Sequence, residues 1–259
     1  RGVKGGDKFE KDLSEASETI VREISVLRLD GNKPAGKPLV LERTLADLGE
    51  PRPSPSAPAV AFLRDDVLIV APLAGGTNRV EVAEKVAGSY DWSPDGKSLV
   101  FAVRLTATWE KGTINLAHIQ RRAVISATGA LTAGDSALLG TGAFAFTPRV
   151  RCLPDGRVLF ASLPLQLPKP ANAVSEARFY LVDPAKGTDA APAAIATEPG
   201  ALPADLAAFA LSPDGKRIAI AESGSDAVAV VEVATGRLNI VSPKRGGQGR
   251  ALPAWRGAE

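Results

Sequence analysis

Short apolar segments paired around polar turns recur along this chain. Residues 67–73 are almost entirely apolar, residues 74–78 contain two glycines and an asparagine, and residues 79–83 alternate between polar and apolar side chains. The same plan repeats at residues 24–42, 114–132, 179–196 and 227–241. Apolar or alternating segments of this length around glycine-containing turns are typical of antiparallel β-hairpins.

A second motif, a tight turn that leads into an apolar strand, lies between these hairpins. Three copies align without gaps: Asp91-Trp92-Ser93-Pro94-Asp95-Gly96-Lys97, Arg151-Cys152-Leu153-Pro154-Asp155-Gly156-Arg157 and Ala210-Leu211-Ser212-Pro213-Asp214-Gly215-Lys216. Their turn aspartates are 60 and 59 residues apart, and a decayed fourth copy contains Trp255. In such a turn serine bonds the backbone, proline presets φ, and glycine supplies the left-handed conformation.

Each repeat therefore contains four short antiparallel strands, here called A to D, with the tight turn between A and B. Four such strands per repeat predict the blade of a β-propeller. We expect an all-β fold of four or more four-stranded antiparallel blades over residues 19–259, preceded by an irregular or short helical lead-in at residues 1–18. The anchor positions of the blades lie near Trp92, Cys152, Leu211 and Trp255.

Three segments are expected to lie outside the regular strands. Residues 50–58 contain four prolines, which exclude a helix or an interior strand and predict a surface connection. Residues 133–143, rich in glycine and alanine, are predicted to be a loop after a return strand at residues 130–132. Residues 163–173, with three prolines, are predicted to lengthen a B–C connection.

The ends of the chain bear on how the propeller closes. The chain has no methionine, so Arg1 is not a translation start, and the sequence stops inside a repeat. We therefore expect a part of a larger propeller. The alternative is a nearly closed ring in which strands from both ends share one blade, because a shared blade removes exposed sheet edges.

Composition and charge exclude several classes of function. Apolar residues make up 45% and charged residues 23% of the chain, which is ordinary for a globular protein. A formal net charge of +2 is too small to indicate nucleic acid as a partner. One cysteine and one histidine exclude a disulfide within the chain and a metal site built from several such residues. No apolar run is long enough for a transmembrane segment, and no cofactor is expected.

The tryptophan-bearing turn, the apolar strand and the glycine hairpin together resemble the TolB-like, WD-like propeller repeat of bacterial proteins. The resemblance covers residues 60–259, with one more hairpin at residues 24–43. This repeat occurs in envelope scaffolds and in the non-catalytic propellers of serine peptidases, so it implies a fold more than a function. It also implies an extracytoplasmic location, in the periplasm or cell envelope.

No residue pattern indicates catalysis. Nucleophilic catalysis needs a base beside the nucleophile, and the single histidine, His118, lies in an apolar strand where a structural role is the simpler interpretation. Cys152 occupies an anchor position that tryptophan holds in other copies, which favours a buried, unreactive thiol. The recurring turn aspartates belong to separate blades and are explained by the turn itself.

Charged residues beside two anchors form the first candidate binding site. Asp91 and Arg151 hold equivalent positions one residue before successive anchors, and Arg149 lies two residues earlier on the same face. We expect these side chains to face the central channel and to meet across neighbouring blades. A water-solvated pair of charges is the simpler interpretation, and a ligand-binding role is the alternative.

Loops on one rim form the second candidate binding site. Trp109, Glu110 and Lys111 fall in a B–C loop, and Lys169 lies in the long B–C loop of the next blade. An exposed tryptophan is a favoured anchor for a partner, although Trp109 packed under its own loop is the simpler interpretation. The basic D–A loop at residues 244–250 is expected to be solvated.

Two functions remain open from the sequence. The first is a non-catalytic scaffold that binds a protein or another envelope partner through its loop rim. The second is the propeller domain of an enzyme, such as a serine peptidase, whose catalytic domain lies outside this chain.

Overall fold

The structure, a computed structural model, describes residues 21–109, 112–139, 144–145, 149–162, 178–187, 191–197, 202, 209–221 and 228–242. Across these residues the elements are β-strands, joined by one short 3-10 turn at Pro184–Lys186. The strands form antiparallel sheets, and the fold is therefore all-β, as the sequence predicts. The predicted lead-in at residues 1–18 and the anchor Trp255 lie outside the described residues.

Two small two-stranded sheets come first in the described chain. Their strands are β1 (Arg22–Val26), β2 (Leu29–Asp30), β3 (Lys33–Pro34) and β4 (Leu39–Thr44). β1 pairs with β4 as predicted, while β2 and β3 form a separate two-stranded hairpin within the connection. Gly31 has a φ of +58°, which explains the glycine in this turn.

Four blades follow, and each runs from strand A to strand D in chain order. The first contains β5 (Arg52–Pro53), β6 (Ala59–Arg64), β7 (Val67–Pro72) and β8 (Val80–Ala83). The second contains β9 (Val86–Trp92), β10 (Ser98–Trp109), β11 (Gly112–Ala123) and β12 (Ser136–Leu138), with β13 (Phe144–Ala145) also paired to β11. The third contains β14 (Val150–Cys152), β15 (Val158–Ser162), β16 (Arg178–Val182) and β17 (Ala193–Ala194). The fourth contains β18 (Phe209–Leu211), β19 (Arg217–Ala221), β20 (Val228–Glu232) and β21 (Leu238–Ser242).

The blades pack face to face. Alternate residues of β6 point to opposite neighbours: Ala61 and Leu63 pack against the second blade, and Val60 and Phe62 pack against β1 and β4. The same division holds for β10 and for β15. The inner strands therefore have continuous apolar sequences, because both of their faces are buried.

Trp92 fills the anchor position of the second blade. Trp92 is 5% exposed, lies in the core shared with the first blade, and donates its indole N–H to the carbonyl of Arg52 at 2.8 Å. Cys152 and Leu211, the equivalent residues of the next blades, pack against the corresponding cores but are only half-buried. A cavity of about 250 Å³ lies beside Cys152, where a smaller side chain replaces tryptophan.

The A–B turns form as their sequence predicts. The backbone N–H of Gly96 donates to the carbonyl of Ser93 at 2.8 Å, and the Ser93 hydroxyl accepts from the backbone N–H of Ser98 at 2.9 Å. Ser212 repeats the second bond with the N–H of Arg217 at 2.9 Å. Gly96 has a φ of +65°, the left-handed conformation that closes the turn.

Equivalent turns of neighbouring blades touch. The hydroxyl of Ser54 donates to the carbonyl of Gly96 at 2.9 Å, and a side chain on Gly96 would meet the backbone N of Ser56 at 2.9 Å. A side chain on Gly215 would likewise meet Pro154, at 2.5 Å. The turns at residues 93–96 and 153–156 line one cavity, so the successive turns lie on one face of the fold, as the in-phase repeat predicts.

Two expectations about irregular segments were wrong. The proline-rich segment is not only a connection: Arg52 and Pro53 form β5, the A strand of the first blade, and residues 54–58 form its A–B turn. Proline is tolerated in β5 because this strand pairs on one side only. The D strand of the second blade is β12, inside the predicted loop, whereas Leu131 makes only an isolated bridge with Ile125. Residues 163–173 lie outside the described residues.

Replacing Trp92 with alanine should lower the free energy of unfolding by about 3–5 kcal/mol, because it empties a large aromatic site in a core. The control is Leu45→Ala, at a position that is 62% exposed, which should change it by less than about 0.5 kcal/mol. Chemical denaturation monitored by circular dichroism measures both. Equal denaturation midpoints for the two variants would show that Trp92 is not an anchor.

The turn aspartates predict an acid dependence of stability. The Ser93 hydroxyl holds the pKa of Asp95 below its usual value, and the Ser212 hydroxyl does the same for Asp214. A carboxyl group whose pKa is lower in the folded state stabilises the fold above its unfolded pKa, and this contribution disappears as pH falls through the folded pKa.

The variant Ser93→Ala/Ser212→Ala should therefore lose less of its unfolding free energy between about pH 4 and pH 2 than the unmodified chain does. Denaturation curves across this range measure the slope, and carboxyl NMR titration measures the two pKa values. Asp155 is the internal control, because Arg157 rather than a serine lowers its pKa. An unchanged slope together with unchanged pKa values would contradict the prediction.

Candidate functional site

The A strands of the second and third blades lie side by side. The backbone N–H of Val150 donates to the hydroxyl of Ser89 at 2.6 Å. The backbone N–H of Cys152 donates to Oδ2 of Asp91 at 2.9 Å. Arg52 brings the A strand of the first blade to the same place, because its guanidinium pairs with Asp91 at 3.2 Å. β5, β9 and β14 therefore form one surface, here called the inner surface.

Asp91 connects all three of these strands. Its Oδ1 accepts from the guanidinium of Arg52 at 3.2 Å and from the backbone N–H of Trp92 at 3.1 Å. Its Oδ2 accepts from the backbone N–H of Cys152 in the next blade. The side chain is 20% exposed, so these bonds form largely out of water and each is stronger than on an open surface.

The predicted meeting of Asp91 with Arg151 needs correction. Both residues reach the inner surface, and the charge of Asp91 acts on Arg151. The ion pair of Asp91 within the described part of the chain is nevertheless with Arg52, the residue at the equivalent position of the preceding blade. Arg151 instead donates to the carbonyl of Val150 at 3.0 Å.

Three arginines converge on a cavity of about 200 Å³ at the inner surface. The arginine cluster consists of Arg52, Arg149 and Arg151, and Glu50 and Tyr90 also line the cavity. Burial, and after it the positive charge of Arg52, holds the pKa of Arg151 below its usual value. Arg149 adds to this effect, so the cluster concentrates positive charge in a partly dehydrated space.

Tyr90 fixes one wall of this cavity. Its hydroxyl donates to the carbonyl of Ala61 at 3.0 Å and also contacts the carbonyl of Glu50. The guanidinium of Arg52 lies over the Tyr90 ring, 5.6 Å from its centre, and pairs with the Glu50 carboxylate at 3.2 Å. Burial raises the pKa of Tyr90 well above its usual value, so the phenol stays neutral and serves as a hydrogen-bond donor.

Sequence reasoning identified three members of this site and missed the others. Asp91, Arg149 and Arg151 were predicted from their spacing to the anchors. Arg52 and Glu50 were missed, because the prolines around them obscured the first blade's A strand. A sequence signal existed: Ser54-Pro55 matches Ser93-Pro94, and this alignment places Arg52 at the position equivalent to Asp91. The structure agrees, because the backbone N–H of Ser54 donates to the carbonyl of Ala59 as that of Ser93 donates to the carbonyl of Ser98.

The second candidate site lies on a long hairpin. β10 and β11 are twelve residues each and pair along their whole length, from Ser98 with Ala123 to Trp109 with Gly112. β9 pairs with β10 only as far as Val103. Trp109 is thus the last residue of β10, next to the predicted B–C loop. Glu110, Lys111, Lys169 and the loop at residues 244–250 lie outside the described residues.

His118 and Cys152 were interpreted as structural residues. His118 is half-buried in β11 opposite Val103, and its Nδ1 is buried with no hydrogen-bond partner in the described part of the chain. Burial raises the pKa of the Cys152 thiol, which keeps it protonated and weakly nucleophilic. Across the described ranges, no three side chains of the metal-binding types are grouped to hold an ion.

Known proteins resemble this chain in fold rather than in sequence. No protein-family model matches it, and no curated protein is significantly similar to it. Among solved structures, a Bacteroides fragilis protein provisionally assigned as a 6-phosphogluconolactonase shares 15% identity over 86% of this chain and 65% of its own, with a TM-score of 0.50. A Bacteroides uniformis protein with the same provisional assignment shares 16% identity over 78% of this chain and 55% of its own, with a TM-score of 0.47.

A third structure is provisionally assigned as TolB, from Agrobacterium tumefaciens. It shares 14% identity over 81% of this chain and 87% of its own, with a TM-score of 0.34. The chain spans about half to two thirds of the first structures that it matches. The successive four-stranded antiparallel sheets, together with the likeness to the Bacteroides fragilis structure, establish the fold. The chain is a β-propeller. In its described part, no helix has the length and apolar character needed to cross a membrane.

Asp91→Asn should lower the free energy of unfolding by about 1–3 kcal/mol, because it leaves partners of a buried carboxylate without their charge-assisted bonds. Asp135→Asn is the matched control, since Asp135 is exposed. Urea denaturation measures both variants. The double variant Asp91→Asn/Arg52→Gln should lose less unfolding free energy than the two single variants lose together, because the two residues interact. Equal stability of the Asp91→Asn and Asp135→Asn variants would refute the bridging role of Asp91.

Proposed function

We propose that this chain is a non-catalytic propeller scaffold that binds a protein partner of the cell envelope through its B–C and D–A rim. The observation that carries the proposal is the β10–β11 hairpin. Residues 105–109 and 112–115 have no ladder partner except each other in the described part of the chain. Five residues of a strand span about 17 Å, so the hairpin extends well past the strands beside it.

A projecting two-stranded hairpin contributes little to the stability of the fold by itself. An isolated two-stranded ribbon is only marginally stable in water, and a sheet edge invites pairing with another chain. The residues along this part of the hairpin include exposed Thr106, Thr108 and Thr113, which favour a strand but bury little. A partner strand that adds to this edge would satisfy the backbone groups that have no ladder partner in the described part of the chain.

Trp109 is proposed as the main contact. It ends β10, where it pairs with Gly112 across a connection of two residues, so its position is the tip of the hairpin. Tryptophan is enriched among residues that dominate binding energy, because it contributes a large rigid surface with few rotatable bonds. Glu110, Lys111 and Lys169 are proposed to add polar contacts on the same rim.

The proposed location is the periplasm or cell envelope of a bacterium. The support is the resemblance of the tryptophan-bearing repeat to that of TolB-like envelope proteins. The near-neutral net charge of +2 also favours a protein partner over nucleic acid.

Site-specific photocrosslinking in the cells of origin tests this proposal. A benzophenone amino acid placed at Trp109 should form a covalent adduct with one discrete protein. The same probe at Lys97 or Lys216, on the A–B turns, should not. Equal adducts at all three positions, or none at Trp109, would argue against a partner on this rim.

With the partner identified, Trp109→Ala should weaken binding by about ten-fold or more, as expected for an interface hot spot, while the melting temperature changes by no more than a few degrees. Isothermal titration calorimetry measures the affinity, and Trp109→Phe should retain part of it. A variant that melts earlier yet binds normally would mean that Trp109 only packs against its own hairpin.

A further inference from the structure

The arginine cluster lies beside two acidic residues, Asp91 and Glu50, and both of them pair with Arg52. Asp91 is bonded by Arg52 and by two backbone N–H groups. Glu50 also pairs with Arg52 and is 75% exposed, so water screens much of its charge. Within the described part of the chain, the ion pairs of both acidic residues are therefore with Arg52.

We propose that this cavity is a binding site for a small anion that carries a phosphate or carboxylate group. Guanidinium groups present paired N–H donors that match these two oxyanions, so converging arginines are suited to hold either one. An anion in the cavity would bring negative charge to Arg151, which lines it and, among the described residues, donates to a backbone carbonyl rather than to a carboxylate.

The walls of the cavity are held in place without the ligand. Arg52 is fixed by Asp91 and by its position over the Tyr90 ring. Tyr90 is fixed by its bond to the carbonyl of Ala61, and Arg151 by its bond to the carbonyl of Val150. Preorganised donors lose little conformational entropy on binding, so a small ligand can bind measurably with few contacts.

The size of the cavity limits the ligand. Its volume of about 200 Å³ equals roughly six to seven water molecules at about 30 Å³ each. Inorganic phosphate or a small dicarboxylate such as succinate fits within this space with a few waters. The cavity is open to solvent, so its volume limits only the group that enters it, which is either a small free anion or the anionic end of a larger molecule.

The depressed pKa of Arg151 agrees with this geometry. Dehydration and the neighbouring charges of Arg52 and Arg149 disfavour its cationic form, and a bound anion would offset all three effects. Asp91 and Glu50 act in the opposite direction, and Tyr90, which faces the same space, is neutral.

Isothermal titration calorimetry of the full chain with inorganic phosphate and, separately, with succinate tests the proposal at low ionic strength. Saturable binding of either anion supports it, and the tighter of the two identifies the ligand chemistry. A Kd weaker than about 10 mM for both anions would overturn it.

Three variants with a single charge change decide whether the arginine cluster is the site. Arg151→Gln should weaken binding about ten-fold or more, because it removes charge-assisted bonds to the anion. Glu50→Gln should tighten binding several-fold, since it removes an opposing carboxylate. Arg43→Gln, at an exposed position on β4, carries the same charge change as Arg151→Gln and should leave the Kd unchanged.

Thermal melting confirms that each variant is folded, and Arg149→Gln replaces Arg151→Gln if the latter is unstable. Equal weakening by Arg43→Gln and the cluster variants would reveal only a non-specific effect of net charge and overturn the site. An unchanged Kd in folded variants of Arg149 and Arg151 would overturn it as well.

Discussion

The Asp91 carboxylate sets the geometry of the inner surface. Its bonds reach Arg52 in the preceding blade and the backbone of Cys152 in the following one. Face-to-face packing of apolar strands supplies most of the stability of such a fold, but apolar contacts are not directional. A hydrogen-bonded charge is directional, and Asp91 therefore fixes how β5, β9 and β14 lie relative to one another. The positions of the three arginines follow from that arrangement.

The packed inner strands and the projecting β10–β11 hairpin have different roles in this chain. The inner strands are buried on both faces, and aromatic contacts such as that between Phe179 and Phe209, 5.2 Å apart, continue this packing from the third blade to the fourth. The β10–β11 hairpin starts in this packed region and ends beyond it. A rigid base gives a projecting segment a defined direction, which is how loops on a stable scaffold come to carry binding functions.

Local chemistry decides what the sequence can predict. The A–B turns and Trp92 were predicted correctly, because Ser-Pro-Asp-Gly encodes its own conformation and bonds. The D strand β12 was misplaced, since its three exposed residues have no distinctive pattern and pair only because β11 is adjacent. The contact between Arg52 and Asp91 joins residues 39 positions apart. Such a pair becomes visible only when the first blade is aligned with the others, and its prolines conceal that alignment.

The close approach of neighbouring turns bears on how these repeats diverge. At Gly96 and Gly215 a side chain would strain the turn and also collide with the adjacent blade, whereas at Gly156 nothing lies within 4 Å. The copy around Gly156 has the buried Leu153 where the other two copies have serine. A side chain at Gly156 should therefore strain only its own turn, whereas one at Gly96 or Gly215 would also disturb the contact between two blades.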